Sequence, residues 1–421
     1  MPTITIKEQT LTNGLRVIAA PDHAAPNVTV TVMYRVGSHD EHRGKTGLAH
    51  LFEHLMFDNT SSGVDKQYDL YCTKAGGSNN AYTTFDYTTY YINLPSNQAP
   101  LGFWLEAERM RGFMISDHAL ETQRKVVIEE IKQNVENQPY GKWRQGMEET
   151  AYEPRSPYSW EVYGSPDDVA GVLMDDAHAF FSRYYRPTNA VLTVAGDIEP
   201  ERVFALAEEH FGAISSGEPI TDRTTFDDSM CRFGAQQVIK DDVTLPAIYV
   251  SFHMPGMLDE TNYAAEIAAY ILGSGRSSAL YKYLVKEKQI ASSVGAYFDK
   301  RHHASLLTFY VFASNEDVTP DQMALELLSC IRSVVVDDVT FVKAVNKARM
   351  SLAYDLQKNE GVADSISYHT LFYNQPQMVN TLMDKYTVQT KEVVQSMIDA
   401  CTSESRWARV DIVPHERSET A

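Results

Sequence analysis

The sequence predicts an α+β protein made of two domains with a similar order of elements. Three observations predict it. The 421 residues exceed one ordinary hydrophobic core and fit two domains of roughly 200 residues. The first half reads as strands, then helices, then a late strand and a helix. After a polar stretch the same order begins again, which suggests an old duplication.

The elements follow from local pattern. Residues 15–21 and 28–36 read as strands. In the second, Val28, Val30, Val32, Tyr34 and Val36 alternate with Thr29, Thr31, Met33 and Arg35, the period of a strand. Residues 37–47 form a polar loop and 48–57 a helix. A short helix over 66–74 is ended by Gly76-Gly77. Residues 87–94, rich in Thr, Tyr and Ile, form a strand closed by Pro95. Helical patterns cover 100–113 and 119–137, the second stopping before Pro139. Residues 190–195 are a strand and 199–211 an amphipathic helix, which completes an N-terminal domain of 1–213. The stretch 214–235, with Ser-Ser-Gly, Thr-Thr and Asp-Asp, reads as a linker. A C-terminal domain over 236–421 holds strands at 237–240 and 247–253 and helices at 261–272 and 277–286. Strands at 292–298 and 306–312, two helices and a late strand at 407–412 complete it.

Composition excludes some classes. The formal net charge is −19, so nucleic acid is not an expected partner, because phosphate binding needs a basic surface. The acidity fits either plain solubility or an acidic chamber that draws in basic peptides. No apolar run approaches the roughly 18 residues of a membrane span. The N-terminus shows no signal peptide, so a cytoplasmic location is expected, or a periplasmic one if a signal has been removed. Cys72, Cys231, Cys330 and Cys401 form no CxxC pair, which fits a reducing compartment and no cysteine-ligated metal. No Gly-x-Ser-x-Gly elbow is present. Gly273-Ser274-Gly275-Arg276-Ser277-Ser278 lacks the end of a phosphate-binding loop and reads as a glycine-rich helix start.

The strongest chemical signal is His50-Leu51-Phe52-Glu53-His54. Positions i, i+3 and i+4 share one face of a helix. Two imidazoles one turn apart can hold one Zn²⁺, with a carboxylate facing the same space. The order inverts that of HExxH. A catalytic zinc takes three protein ligands and a water, so a third ligand must come from elsewhere in the chain.

The stretch Gly47-Leu48-Ala49-His50-Leu51-Phe52-Glu53-His54-Leu55-Met56-Phe57 closely resembles the signature of the pitrilysin/insulinase family of zinc metallopeptidases, or inverzincins. The resemblance runs from Leu11-Thr12-Asn13-Gly14-Leu15 to the late strand after Trp407, and is to the short two-domain type that includes the catalytic subunit of mitochondrial processing peptidase. It implies two similar α+β domains, each a mostly antiparallel sheet packed by helices, forming half of a clamshell. It implies one Zn²⁺ per chain on His50, His54 and Glu130, the last in Val126-Val127-Ile128-Glu129-Glu130-Ile131, with Glu129 the competitor about 100° round the helix. Glu53 would be the general base toward a water held at the zinc.

The same resemblance places Asn80 and Ala81, in Ser78-Asn79-Asn80-Ala81-Tyr82-Thr83, on an edge strand that binds the substrate backbone. Tyr82, Phe85, Tyr87, Tyr90 and Tyr91 crowd that region, as strand packing or as side-chain pockets. Two departures stand out. Gln123 occupies a position where family members often carry a second Glu, and Glu121 lies on another helix face. In the second half, Val285 and Ser292 stand where the family places an Arg and a Tyr that stabilise the oxyanion. The chain is therefore expected to be the zinc-bearing subunit of a heterodimer whose homologous partner supplies that pair, and whose chamber admits unfolded peptides. A homodimer using Lys286 or Tyr297 is the alternative. A non-catalytic structural subunit of the same fold is the competing function.

Overall fold

The computed structural model describes residues 3–58 and 67–415. Eleven strands lie among them: β1 (Lys7–Thr10), β2 (Arg16–Pro21), β3 (Asn27–Tyr34), β4 (Ser78–Thr83), β5 (Thr88–Pro95), β6 (Ala190–Gly196), β7 (Ala235–Asp241), β8 (Ala247–Pro255), β9 (Ala291–Asp299), β10 (Ala304–Ala313) and β11 (Trp407–Pro414). They form two mixed sheets, one ordered β1-β2-β6-β3-β5-β4 and one ordered β7-β11-β8-β10-β9. In each, a single parallel pair, β2 with β6 or β7 with β11, interrupts otherwise antiparallel pairing. Leaving β1 aside, the two orders are the same when each strand is matched to its counterpart. In both, the last strand slots between the first two.

Strand chemistry accounts for the centre of the first sheet. β3 is buried from Val28 to Tyr34 and β6 along its whole length, as strands covered on both faces must be. Four helices of the first half carry the site: α1 (Leu48–Asp58), α2 (Tyr68–Lys74), α3 (Ala99–Arg111) and α4 (Asp117–Ile131). Residue 66, read from the sequence as part of α2, lies outside the described residues. The helix read over 119–137 stops being α-helical at Ile131 and continues as a π-helical turn over Lys132–Glu136.

The compact units depart from the boundaries read along the sequence. One comprises Met1–Ile131, Val162–Thr224 and Leu352–Leu382; the other comprises Lys132–Glu161, Thr225–Ser351 and Met383–Ala421. Packing explains the exchange. The helix Asn359–Tyr373 lies on β3 and β6 of the first sheet, with Ser367 donating to Thr193 at 2.8 Å. The helix Trp143–Ala151 lies on β7, β8 and β11 of the second. There the guanidinium of Arg301, in the turn between β9 and β10, donates two bonds of 2.6 and 2.7 Å to Glu148. Residues 214–224, read as linker, belong to the first unit.

The second half also holds more helices than the two expected. Pro320–Ser333, Asp338–Asp355, Asn359–Tyr373, Leu382–Thr387 and Lys391–Asp399 follow β10. Their ends carry side-chain caps from Thr319 and Thr390 and a left-handed Asn374, signals that mark helix boundaries. The helix read over 277–286 is π-helical across Tyr281–Glu287. No helix among the described residues is long and apolar enough to cross a membrane.

Arg301 and Glu148 are each 1% exposed. Removing one partner of such a pair leaves a buried charge uncompensated. Arg301→Met is expected to destabilise the second unit by about 3–5 kcal/mol. A urea titration followed by fluorescence of Trp143, stacked on Tyr249, measures it, and adding Glu148→Gln should recover part of the loss.

Candidate metal centre

The helix α1 is held at its start by a device invisible to pattern reading. Glu41, 3% exposed, accepts from the amide of Gly47 at 2.9 Å and from that of Ala49 at 2.7 Å. A buried carboxylate thus satisfies two orphan donors of the first turn. The backbone of residues 163–164 lies so close that a Cβ on Gly47 would meet the carbonyl oxygen of Tyr163 at 2.3 Å, and one on Gly164 the amide of Gly47 at 2.2 Å. Both glycines also have positive φ. At the other end of α1, Phe57 packs against the buried guanidinium of Arg109, which also lies over the rings of Tyr68 and Tyr90. Arg109 is paired with Glu106 on α3. One face of α1 enters the core through Phe52, which stacks on Phe113.

The opposite face presents His50, Glu53 and His54. Glu130, near the end of α4, reaches this face, and one ligand atom from each of His50, His54 and Glu130 lies within 4.8 Å of the others. Among the described residues no other group of His, Cys, Asp and Glu meets that condition. The His54 Nε2 to Glu130 Oε2 distance is 3.2 Å and His50 Nε2 to Glu130 Oε1 is 3.9 Å. Glu129 is exposed. Tyr163 hydrogen-bonds Glu130 and sets its ring edge-on to His50 at 4.8 Å, supporting two of the three groups.

This donor set fits a metal ion. Bonds of about 2.0–2.2 Å in tetrahedral array put donors roughly 3.3–3.6 Å apart, close to the two distances above. Two imidazoles and one carboxylate leave a fourth position open. His50 Nδ1 is buried with no hydrogen-bond partner. Burial, then the nearby charge of His54, pushes the His50 pKa down to about 4, which keeps the ring in the neutral form a metal binds. The hydrogen bond from His54 holds the Glu130 carboxyl below its usual range.

Glu53 is placed from the other side. The Thr83 hydroxyl donates to Glu53 Oε2 at 2.7 Å, and the Thr83 amide adds a second bond. Burial raises the Glu53 pKa against those bonds. Thr83 ends β4, the edge strand of its sheet. The Ala81 amide donates to Asn80 Oδ1 at 2.9 Å, so the amides of Ala81 and Thr83 both turn away from β5, as alternate residues of a strand do. Among the described residues no strand pairs with the outer side of β4, so Asn80 and Ala81 lie on an edge that ends at Glu53. On the opposite face of β4, the Tyr82 hydroxyl binds Asp364 of the helix Asn359–Tyr373. Of the neighbouring aromatics, Phe85 and Tyr90 are buried and Tyr87 packs on Tyr368 and Phe372.

The residues singled out as departures have local partners. Gln123 donates to Asp58 at 2.7 Å, and Glu121 pairs with Arg124 and Lys125 on its own helix. In the second unit, the Ser292 hydroxyl donates to the carbonyls of Phe312 and Ala313. The Lys286 ammonium lies 5.7 Å from the Tyr281 ring, and Tyr297 packs edge-on to Trp143. The sequence does not single out Glu41 or Tyr163, and it shows Thr83 only as the last residue of the Ser78–Thr83 segment, without a role. For Glu41 the only signal was an acidic residue shortly before the helix start.

Residues 16–154 match the family described as Insulinase (Peptidase family M16), and residues 172–352 match that described as Peptidase M16 inactive domain. The chain belongs to the insulinase family, peptidase family M16. It is similar to the zinc protease PqqE of Helicobacter pylori (strain ATCC 700392 / 26695), at 29% identity over 334 residues, 79% of this chain and 75% of that protein. It is also similar to cytochrome b-c1 complex subunit 1, mitochondrial, of Bos taurus, at 28% identity over 271 residues, 62% of this chain and 54% of that one. The crystal structure of a protease from Helicobacter pylori shares the fold with a TM-score of 0.90 at 24% identity, over 98% of this chain and 100% of that one. The chain is thus similar both to proteins named as proteases and to a protein named as a cytochrome b-c1 complex subunit.

The Glu41 cap gives a direct test of how α1 is held. Glu41→Ala leaves the Gly47 and Ala49 amides without their acceptor and is expected to cost about 2 kcal/mol. The midpoint of chemical unfolding, compared with that of the intact chain, reads the loss.

Proposed function

We propose that this chain is a zinc-dependent endopeptidase subunit that hydrolyses unfolded peptides. The observation that supports it best is the position of Glu53, on the face of α1 that carries His50 and His54 and bonded to Thr83 at the open edge of β4. His50, His54 and Glu130 would hold the ion. Zinc bound there supplies Lewis acidity, lowering the pKa of water toward neutrality and polarising a peptide carbonyl.

The remaining roles belong to the chain. The free edge of β4 at Asn80 and Ala81 offers main-chain groups to an extended peptide, which adds as a further strand and tolerates varied side chains. Glu53, fixed by Thr83, takes a proton from water and returns it to the leaving amine. Burial raises its proton affinity, the direction that favours taking a proton from water. Since Val285 and Ser292 offer no guanidinium or phenol, the oxyanion-stabilising Arg and Tyr come from a homologous partner subunit. A homodimer drawing on Lys286 or Tyr297 is the competing arrangement.

A second reading, a non-catalytic core subunit, is favoured by the similarity to cytochrome b-c1 complex subunit 1 and by the match of residues 172–352 to an inactive domain. Hydrolysis of quenched peptides with and without chelator, by the chain alone and with a homologous partner, separates the readings. Chelator-sensitive cleavage that needs the partner supports the split site; full activity of the chain alone argues against it. A metal content near zero after purification from zinc-replete cells would favour the core subunit.

Two substitutions divide the roles. Glu53→Gln is expected to retain stoichiometric zinc while kcat falls by at least about 100-fold. Glu130→Gln removes one of three ligands, so zinc should be lost on dialysis, as read by metal analysis. Unchanged zinc affinity in the second variant would exclude Glu130 as a ligand.

A further inference from the structure

Beyond the metal centre, the first unit holds a cavity of about 500 Å³ beside Arg35, the residue after β3, and the segment 216–223. Its size is in the range of small-molecule sites. Three guanidiniums, those of Arg16, Arg35 and Arg223, line it, together with the hydroxyl residues Thr188, Ser216 and Thr370; no Asp or Glu is among the lining residues. In a chain of net charge −19, the wall carries three guanidiniums and no carboxylate, although Asp40 and Glu8 pair with two of them from outside it.

The guanidiniums are held in place rather than left to solvent. Arg223 donates to Asp40 at 2.5 Å, to Asn189 Oδ1 at 2.8 Å and to the Arg35 carbonyl at 2.6 Å. Arg16 donates to Glu8 at 2.8 Å and to Asn374 at 2.7 Å. The Arg35 guanidinium lies 5.7 Å from the centre of the Phe372 ring. Burial, and after it the charge of Arg223, pulls the Arg35 pKa below its usual value. The charges of Asp40 and Asp86 act the other way on Arg35, and Asp40 is already paired with Arg223, so what favours an added anion is the cavity wall itself, with three guanidiniums and no carboxylate. Guanidiniums fixed in advance suit an oxyanion, and fixing them beforehand reduces the ordering cost of binding.

We propose that this cavity binds a small oxyanion, a phosphate- or carboxylate-bearing molecule, at a site separate from the metal centre. The test titrates the zinc-loaded full chain with inorganic phosphate and, separately, with succinate at constant ionic strength, by calorimetry and by thermal shift. The expected result is saturable binding of at least one of the two, with a rise in melting temperature by mass action. Which of them binds distinguishes a phosphate ligand from a carboxylate one.

Arg35→Gln should weaken that binding at least tenfold while leaving zinc content and peptide hydrolysis unchanged. Binding at the zinc itself would survive in this variant, so an unchanged affinity overturns the proposal. Absence of saturable binding of both anions to the intact chain overturns it equally. If Arg35→Gln fails to fold, Arg16→Gln supplies the same comparison.

Discussion

One carboxylate must meet two imidazoles that lie on another helix, and much of the first unit is arranged around that requirement. Spacing on α1 puts His50 and His54 on one face without help. Glu130 is different, because its position depends on how α4 packs against α1. The structure meets that demand by restricting α1 at both ends. Glu41 and the glycine pair 47 and 164 fix the start, and Phe57 against Arg109 fixes the finish. Phe52, turned into an aromatic cluster with Phe113 and Phe180, fixes the rotation. A rotation of α1 about its axis would move both imidazoles relative to Glu130, so the apolar face governs the geometry of the polar one.

The same logic places Glu53. Its bond to Thr83 joins the helix to the edge strand, so the general base proposed for hydrolysis and the strand proposed to receive substrate share one hydrogen bond. Tyr82 lies between Ala81 and Thr83 and faces the other way, where it binds Asp364. An edge strand has a neighbour on one side only, and such strands are free to shift or to pair wrongly. Tethers on both faces of β4 keep the free edge in register while leaving its main-chain groups available.

What the sequence disclosed, and what it did not, follows from the range of each interaction. α1, β3, β5 and β6 were legible because period and composition are local properties. The HxxEH face was legible for the same reason. Glu130 was found only through resemblance, since nothing near it in sequence refers to α1. Glu41, Thr83 and Tyr163 act through contacts made only after folding, and their residue types are ordinary. The exchange of Trp143–Ala151 and Asn359–Tyr373 between the units was hidden for a related reason. An amphipathic helix shows that it has an apolar face, and not which sheet will cover it. The extra helices after β10 were a different kind of miss, because Thr319, Thr390 and Asn374 carried the boundary signals.

The two sheets, alike in strand order, show how one frame can hold a site in one copy and none in the other. In the first, α1 follows β3 and precedes the edge strand β4, with a Thr–Glu hydrogen bond between helix and strand. In the second, the helix Asn262–Gly273 follows β8 and precedes the edge strand β9. There the end of the helix meets the strand directly: a Cβ on Gly273 would come within 2.0 Å of the amide nitrogen of Ala296. Ten of the twelve residues of that helix are buried, against seven of eleven in α1. Where a methyl group has no room, as at Gly273, an imidazole or a carboxylate has none either. The difference between the halves is therefore one of spacing as well as residue type. The end of the second helix could carry a His or a Glu toward β9 only if the helix first lifted from its strand.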